Sequence, residues 1–229
     1  GDIPNPPPSY QYSFEGHDAV AMPEPVRARL GEPLRYADIV AAGILRPGYT
    51  DDTGDRSDGD IGYAVTDNFT PEVIDAVAEV ITHLQAEYGA RAVILVGHSG
   101  GAAISANMLG RHPELADGAL LVACGCDPDA FYARRRLTES DPFWSQPNPS
   151  LRPLVLAANV PHDTHVRMVG GGQDELQPMT HPYAEALRAR NADVTVRVAE
   201  GLGHNIMFTT SVFETLSGLL DEMGAPKEP

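Results

Sequence analysis

The sequence predicts an α/β protein: a mostly parallel sheet with helices on both faces, a short N-terminal part and a small cap inserted late in the chain. Three observations carry this expectation. Strand-like and helix-like segments alternate along most of the length. The apolar, β-branched run Ala92-Val93-Ile94-Leu95-Val96 passes through Gly97-His98-Ser99-Gly100-Gly101 directly into a helical pattern over 102–111. Helix stops and starts fall at glycine and proline, as at Gly89 and Pro71.

Composition sets the outer limits. The chain has 229 residues, 42% of them hydrophobic, which suffices for one sizeable core, and no shift in composition marks a second domain, so 1–229 is expected to be one domain. Formal net charge is −16 and Lys227 is the single lysine. Such a surface repels phosphate backbones and anionic headgroups, so neither nucleic acid nor a membrane surface is expected as a partner. No apolar run approaches the length of a membrane span, and a soluble protein is expected. The sequence opens on Gly1 rather than methionine, which is compatible with a trimmed leader and leaves the compartment, cytoplasmic or secreted, open.

In chain order, 1–9 is a proline-rich lead-in, 10–14 a short strand, 25–30 a short helix and 39–45 a second strand running into Arg46-Pro47-Gly48-Tyr49. Residues 50–61 are crowded with Asp and Gly and lack apolar periodicity, so they are a loop. Their spacing lacks the alternation and closing glutamate of an EF-hand, and no metal is assigned there. Thr70-Pro71 starts a helix whose apolar face is Val73, Ile74, Val77, Val80, Ile81 and Leu84. After the helix over 102–111, closed by His112-Pro113, come a strand at 120–123 and an aperiodic stretch over 127–162. A strand at 165–169, a helix at 181–190, a strand at 194–198 and a last helix over about 209–223 complete the chain. Cys124 and Cys126 sit at the end of a strand-like run, where residues i and i+2 face opposite ways, so they are expected as small packing residues without a disulfide.

Ser99 carries the chemistry. A serine between glycines at a strand-to-helix seam is a nucleophile elbow, a turn tight enough to need small neighbours and to push the hydroxyl clear of the backbone. Gly97 and Gly101 are read as room for the strand and helix to close, and the Gly100 amide, at the helix N-terminus, as a donor to a developing oxyanion. In a parallel sheet, ligand sites form at the carboxyl ends of the strands. Ser99, Asp174 and His204 each follow a strand, and are therefore expected at one edge. A serine hydroxyl needs a neutral imidazole to take its proton, and the imidazole needs a carboxylate to fix its tautomer. Asp174 is preferred over Glu175 because it comes first after the Gly170-Gly171-Gly172 turn. His98 is read as a packing or hydrogen-bonding residue, and Pro161-His162-Asp163-Thr164-His165 as surface rather than a metal cluster.

With these residues in place, the sequence resembles the α/β-hydrolase fold family. The order Ser99, Asp174, His204 is that of the family, and Arg46-Pro47-Gly48-Tyr49 with its acidic turn is similar to the segment after the family's fourth strand. The resemblance implies a serine hydrolase acting by acyl transfer on a small-molecule acyl substrate, with no cofactor and no metal. It makes 127–162 a lid, with Phe131, Tyr132, Phe143 and Trp144 as apolar wall and Tyr49 also at the pocket. Arg134, Arg135 and Arg136 are read as a solvated basic stretch, the other reading being a partner for an acidic group. The family's second oxyanion donor has no clear copy; the His17 backbone in Gly16-His17-Asp18 is the candidate. Carboxylic ester hydrolysis is the leading expectation. Amide cleavage, acyl transfer and a non-catalytic binding protein on the same fold are the alternatives.

Overall fold

The computed structural model describes residues 12–13, 39–50, 54, 56–59 and 69–224. These fall into two compact units, one formed by Gly1–Asn68 with Leu220–Pro229 and one by Phe69–Leu219. The expected helix at 25–30 lies outside the described residues.

In the first unit, β1 (Tyr12–Ser13) pairs antiparallel with β2 (Ala42–Gly43), Tyr12 opposite Gly43. Strand β2 is shorter than the run over 39–45 suggests; the rest of the run over 10–14 lies outside the described residues. The acidic segment folds back on the turn before it: Thr50 bridges Arg56, Gly48 N donates to Asp58 O, and the Ser57 hydroxyl donates to the carbonyls of Arg46 and Tyr49. The Arg46 guanidinium lies over the Tyr49 ring at 4.0 Å.

The second unit is built on four parallel strands in the order β3 (Ile94–His98), β4 (Gly118–Val122), β5 (His165–Gly171) and β6 (Asp193–Ala199). Every residue of β4 is buried, as is β5 beyond His165, which explains their continuous apolar runs: such strands are covered on both faces. Helices α1 (Pro71–Tyr88) and α2 (Gly100–Arg111) flank β3 in sequence. Thr70 is the N-cap of α1, though its hydroxyl makes no capping bond to the backbone, with Pro71 in the first turn, and Gly89 ends the helix in the left-handed region at φ 60°. Ile74, Val77, Ala78, Ile81 and Leu84 form the buried stripe. Helix α2 is buried all round from Ala102 to Gly110, the pattern of a helix enclosed by its neighbours.

The stretch over 127–162 is not irregular. It contains α3 (Pro128–Thr138), a 3₁₀ turn at Pro142–Ser145, the one-turn helix α4 (Pro153–Leu156) and a 3₁₀ turn at Ala157–Asn159. Periodicity misses α3 because only Pro128 and Tyr132 on it are buried, too few for a stripe. Its start was nevertheless legible: Asp127 caps the helix, accepting from Ala130 N at 2.9 Å, and Pro128 sits in the first turn, the same signal as Thr70-Pro71. Helix α5 (Gln177–Arg188) begins four residues earlier than expected, and α6 (Thr210–Glu222) closes the description. Tyr183 on α5 is fully buried and donates its hydroxyl to Ala106 O on α2; burial pushes its phenol pKa up. Among the described residues no helix is long and apolar enough to cross a membrane.

One expectation is overturned. Cys124 and Cys126 form a disulfide, with their Cα atoms 5.1 Å apart. The alternation argument fails because the strand has already ended: β4 stops at Val122, and Ala123 turns into the left-handed region at φ 49°, so 124 and 126 do not obey the up-and-down rule of an extended chain. Both cysteines are buried.

Two expected outcomes follow from this packing. Denatured but unreduced protein should react with no thiol reagent and gain two titratable thiols after reduction; two thiols before reduction would exclude the clasp. Asp75 on α1 accepts from Arg111 Nε and Nη2, both at 2.6 Å, and contacts His112 Nε2 at 2.8 Å, joining α1 to the end of α2. The Arg111 hydrogen bond is the main cause that holds the Asp75 carboxyl down at about 2, against an ordinary 3.8. A lowered carboxyl contributes stability that is complete above its unfolded value and lost as pH falls through the folded one, here between 3.8 and about 2. Asp75→Asn should therefore lower Tm near neutrality by no more than about 2–4 °C, as befits a half-exposed pair, and its Tm should converge on wild type near pH 2 in a thermal melt series.

Candidate active site

The elbow is held by sterics and one hydrogen bond. Ser99 sits at φ 54°, ψ −117°, a conformation an L-residue adopts only under constraint, and its amide donates to Val122 O at 2.9 Å. A Cβ on Gly97 would run into the Gly101 carbonyl and the Ala102 amide, so only glycine lets the strand approach the helix here. Gly101 plays the other half of that contact through its backbone; a Cβ on it would meet nothing within 4 Å, so the steric need falls on Gly97 alone. Gly100 opens α2, where the first amides have no intrahelical acceptor.

The structure brings Ser99, His204 and Asp174 together. His204 Nε2 lies 2.9 Å from Ser99 Oγ, and Nδ1 lies 2.9 Å from Asp174 Oδ2. A carboxylate only accepts, so Nδ1 carries the hydrogen and Nε2 is left to accept from the serine hydroxyl. The Asp174 side chain has no exposed surface, and its second oxygen accepts from Leu176 N at 3.0 Å. Both oxygens are thereby oriented, while the imidazole keeps about a third of its surface open, with 34% side-chain exposure.

Glu175, the other carboxylate in this turn, points elsewhere. Arg134 Nε and Nη2 both reach its Oε2 at 3.1 Å, and Arg135 Nη2 stands 3.7 Å from Oε1, so Glu175 ties the turn to α3. Arg134 and Arg136 are exposed, as a solvated stretch requires, and Arg135 is half-buried, yet all three are held by the chain's own groups. Arg134 and Arg135 meet the chain's own acids, Arg135 also pairing with Glu139, and Arg136 Nε donates to Trp144 O. Trp144 is 3% exposed, donates Nε1 to Glu139 Oε2 at 2.6 Å and is met edge-on by Phe131, Tyr132 and Phe143 at 5.2–5.9 Å between centroids. These aromatics form a small core of their own within 127–162. Tyr49 belongs to the other unit, and His17 lies outside the described residues.

Three features escaped the sequence. The Cys124–Cys126 disulfide sits at the exit of β4, one strand from the elbow. Gly171, at the end of β5, has no room for a Cβ because the carbonyls of Leu202 and Gly203 pass against it, so the histidine loop crosses directly above. His98 places Nε2 3.0 Å from the His204 carbonyl oxygen. Elsewhere, His165 is engaged by Asp193, its Nδ1 2.8 Å from Oδ2, and Arg167 shares that carboxylate; the Arg167 hydrogen bond is the main reason the Asp193 pKa is lowered.

Known proteins resemble this chain in fold and, in sequence, around Ser99. The family described as Serine aminopeptidase, S33 matches residues 55–167, a span that includes Ser99 but neither Asp174 nor His204. An acylaminoacyl peptidase from Pyrococcus horikoshii superposes with a TM-score of 0.55 at 12% identity, covering 69% of this chain and 28% of its own. The Pyrococcus furiosus esterase Pf2001 gives 0.53 at 14% identity, over 74% of this chain and 65% of its own. A protein of unknown function from Agrobacterium tumefaciens gives 0.49 at 22% identity, over 83% and 76%. No curated protein sequence matches the chain significantly. With a parallel sheet, a serine elbow at a strand exit and the likeness to the two Pyrococcus structures, the chain has the α/β-hydrolase fold.

Proposed function

We propose that this protein is a serine hydrolase acting by acyl transfer, with Ser99 as nucleophile, His204 as general base and acid, and Asp174 as the group that orients His204. The observation that carries this is the pair of 2.9 Å hydrogen bonds on one imidazole, one to a hydroxyl and one to a buried carboxylate. Ser99 Oγ attacks the substrate carbonyl carbon as its proton passes to His204 Nε2. The carbonyl oxygen takes the negative charge and turns toward the Gly100 amide at the start of α2. His204 then gives its proton to the leaving oxygen or nitrogen, and the C–O or C–N bond breaks to leave an acyl-serine. A water attacks that ester, again losing a proton to Nε2, and the acid departs with Ser99 restored.

Carboxylic ester hydrolysis asks least of the site. An alkoxide leaves more readily than an amine, so three side chains and one amide, all among the described residues, suffice for it. Amide cleavage is the second reading, favoured by the similarity to the serine aminopeptidase family around Ser99. The partner in either case is a small-molecule acyl compound. No step here calls for a cofactor or a metal.

A fluorophosphonate probe should label the folded protein, and Ser99→Ala should abolish labelling; an unlabelled wild type would favour a non-catalytic binding protein. Asp174→Asn should cut turnover by about 10⁴ with the fold intact, because the imidazole loses its tautomer. Glu175→Gln should change it only a few-fold, and the reverse ranking would move the orienting role to Glu175. A panel of p-nitrophenyl esters against p-nitroanilides of matched acyl groups, read as kcat/KM, should favour the esters.

A further inference from the structure

His98 stands beside the nucleophile in sequence, yet its side chain reaches neither Ser99 nor Asp174 in any hydrogen bond given by the structure. Instead its Nε2 lies 3.0 Å from the backbone oxygen of His204, and the two rings lie 5.0 Å apart, inclined at 45°. A carbonyl oxygen only accepts, so His98 Nε2 carries the hydrogen and donates it. Consecutive residues of the elbow thus hold consecutive parts of one residue: Ser99 holds the His204 ring at Nε2, and His98 holds the His204 backbone.

The rest of the histidine loop shows why that second hold matters. Its first half is fixed to the β5 exit through the backbone, by Gly172 N to Ala199 O and Gln173 N to Leu202 O, with Leu202 N to Ala199 O closing the turn locally. From Gly203 to Thr209 the backbone–backbone bonds among the described residues are local, Ile206 N to His204 O and Thr209 N to Ile206 O, and they fix the turn's shape and not its place over the sheet. The one hydrogen bond given for the His204 backbone that reaches β3, the strand carrying the nucleophile, is the one from His98. Proton transfer between Ser99 and His204 is steep in distance, and displacement of a catalytic group by about 1 Å costs on the order of 10²-fold in rate.

We propose that His98 is a positioning residue that pins the His204 backbone over Ser99 through an Nε2–H to carbonyl hydrogen bond. The proposal rests on the serine-hydrolase reading for its catalytic consequence, and on geometry alone for the tie. Removing the donor leaves His204 with the same ring chemistry but without the tie from its backbone to β3. The loss falls on the reacting step rather than on substrate binding.

The test uses the full chain with a fluorophosphonate probe and p-nitrophenyl acetate, alongside hydrogen exchange of the 202–206 amides. His98→Ala should label at least about 10-fold more slowly than wild type, with kcat reduced and KM within a few-fold. His98→Gln, whose side-chain amide N–H reaches as far as Nε2, should return labelling to within a few-fold of wild type. His98→Asn, with the same donor on a shorter stem, should not. Loop exchange should speed up in His98→Ala and recover in His98→Gln. Wild-type labelling by His98→Ala, or equal loss in the Gln, Asn and Ala variants, overturns the proposal while leaving the serine-hydrolase reading standing. If the Ala variant does not fold, the Gln against Asn comparison decides alone. An unlabelled wild type overturns the serine-hydrolase reading itself, and loop exchange in the variants still accepts or rejects the tie.

Discussion

The arrangement at the sheet edge depends on one imidazole being hydrogen-bonded on both nitrogens by groups from different strands. Ser99 follows β3 and His204 follows β6, the two outer strands of the four. At roughly 4.8 Å per strand that is about 14 Å, too far for a side chain to cover. The backbone of the histidine loop must make the journey, passing over the exits of β5 and β4. Asp174, after β5, stands partway and takes the far nitrogen. Geometry of this kind leaves little slack: the loop lies so close to the β5 exit that the carbonyls of Leu202 and Gly203 occupy the space a Gly171 side chain would need.

Much of this was legible from residue types and order. A serine between glycines after an apolar run, and an acid and a histidine after later strands, are local signals that do not require the tertiary structure, since strand exits in a parallel sheet share an edge. The choice of Asp174 over Glu175 was also within reach, although its physical reason was not. Glu175 is unavailable because Arg134 and Arg135, some forty residues earlier, meet it. Charges that pair across such separations leave no mark in local pattern. The same holds for His98, whose partner is a backbone carbonyl more than a hundred positions away.

The two misreadings have a common origin. Periodicity assumes an element long enough to repeat, and a strand that continues until its apolar residues stop. Helix α3 buries too little to show a stripe, its cohesion coming from Trp144 and its aromatic neighbours. Gly118 to Cys124 is apolar throughout and so reads as strand up to the cysteines, whereas backbone turning at Ala123 ends the strand earlier. Nothing in an alanine announces a positive φ; the surroundings impose it.

Those surroundings explain why unfavourable backbone gathers where it does. Ser99 and Ala123, each the residue after a strand, both have positive φ, a cost of order 1–3 kcal/mol apiece for residues other than glycine. Each is clipped in the same manner, its amide donating to a carbonyl at or near the end of the neighbouring strand: Ser99 N to Val122 O, the last of β4, and Ala123 N to Val169 O, two residues before the end of β5. At the next exit, Gly172 N to Ala199 O repeats the pattern without the strain. The parallel ladder therefore continues one residue beyond the strands, and its hydrogen bonds hold the turns in conformations the chain would otherwise leave. The four-strand ladder, with the close approach that Gly97 permits, therefore sets where the Ser99 hydroxyl stands, 2.9 Å from a histidine that arrives from the strand at the other end of the four.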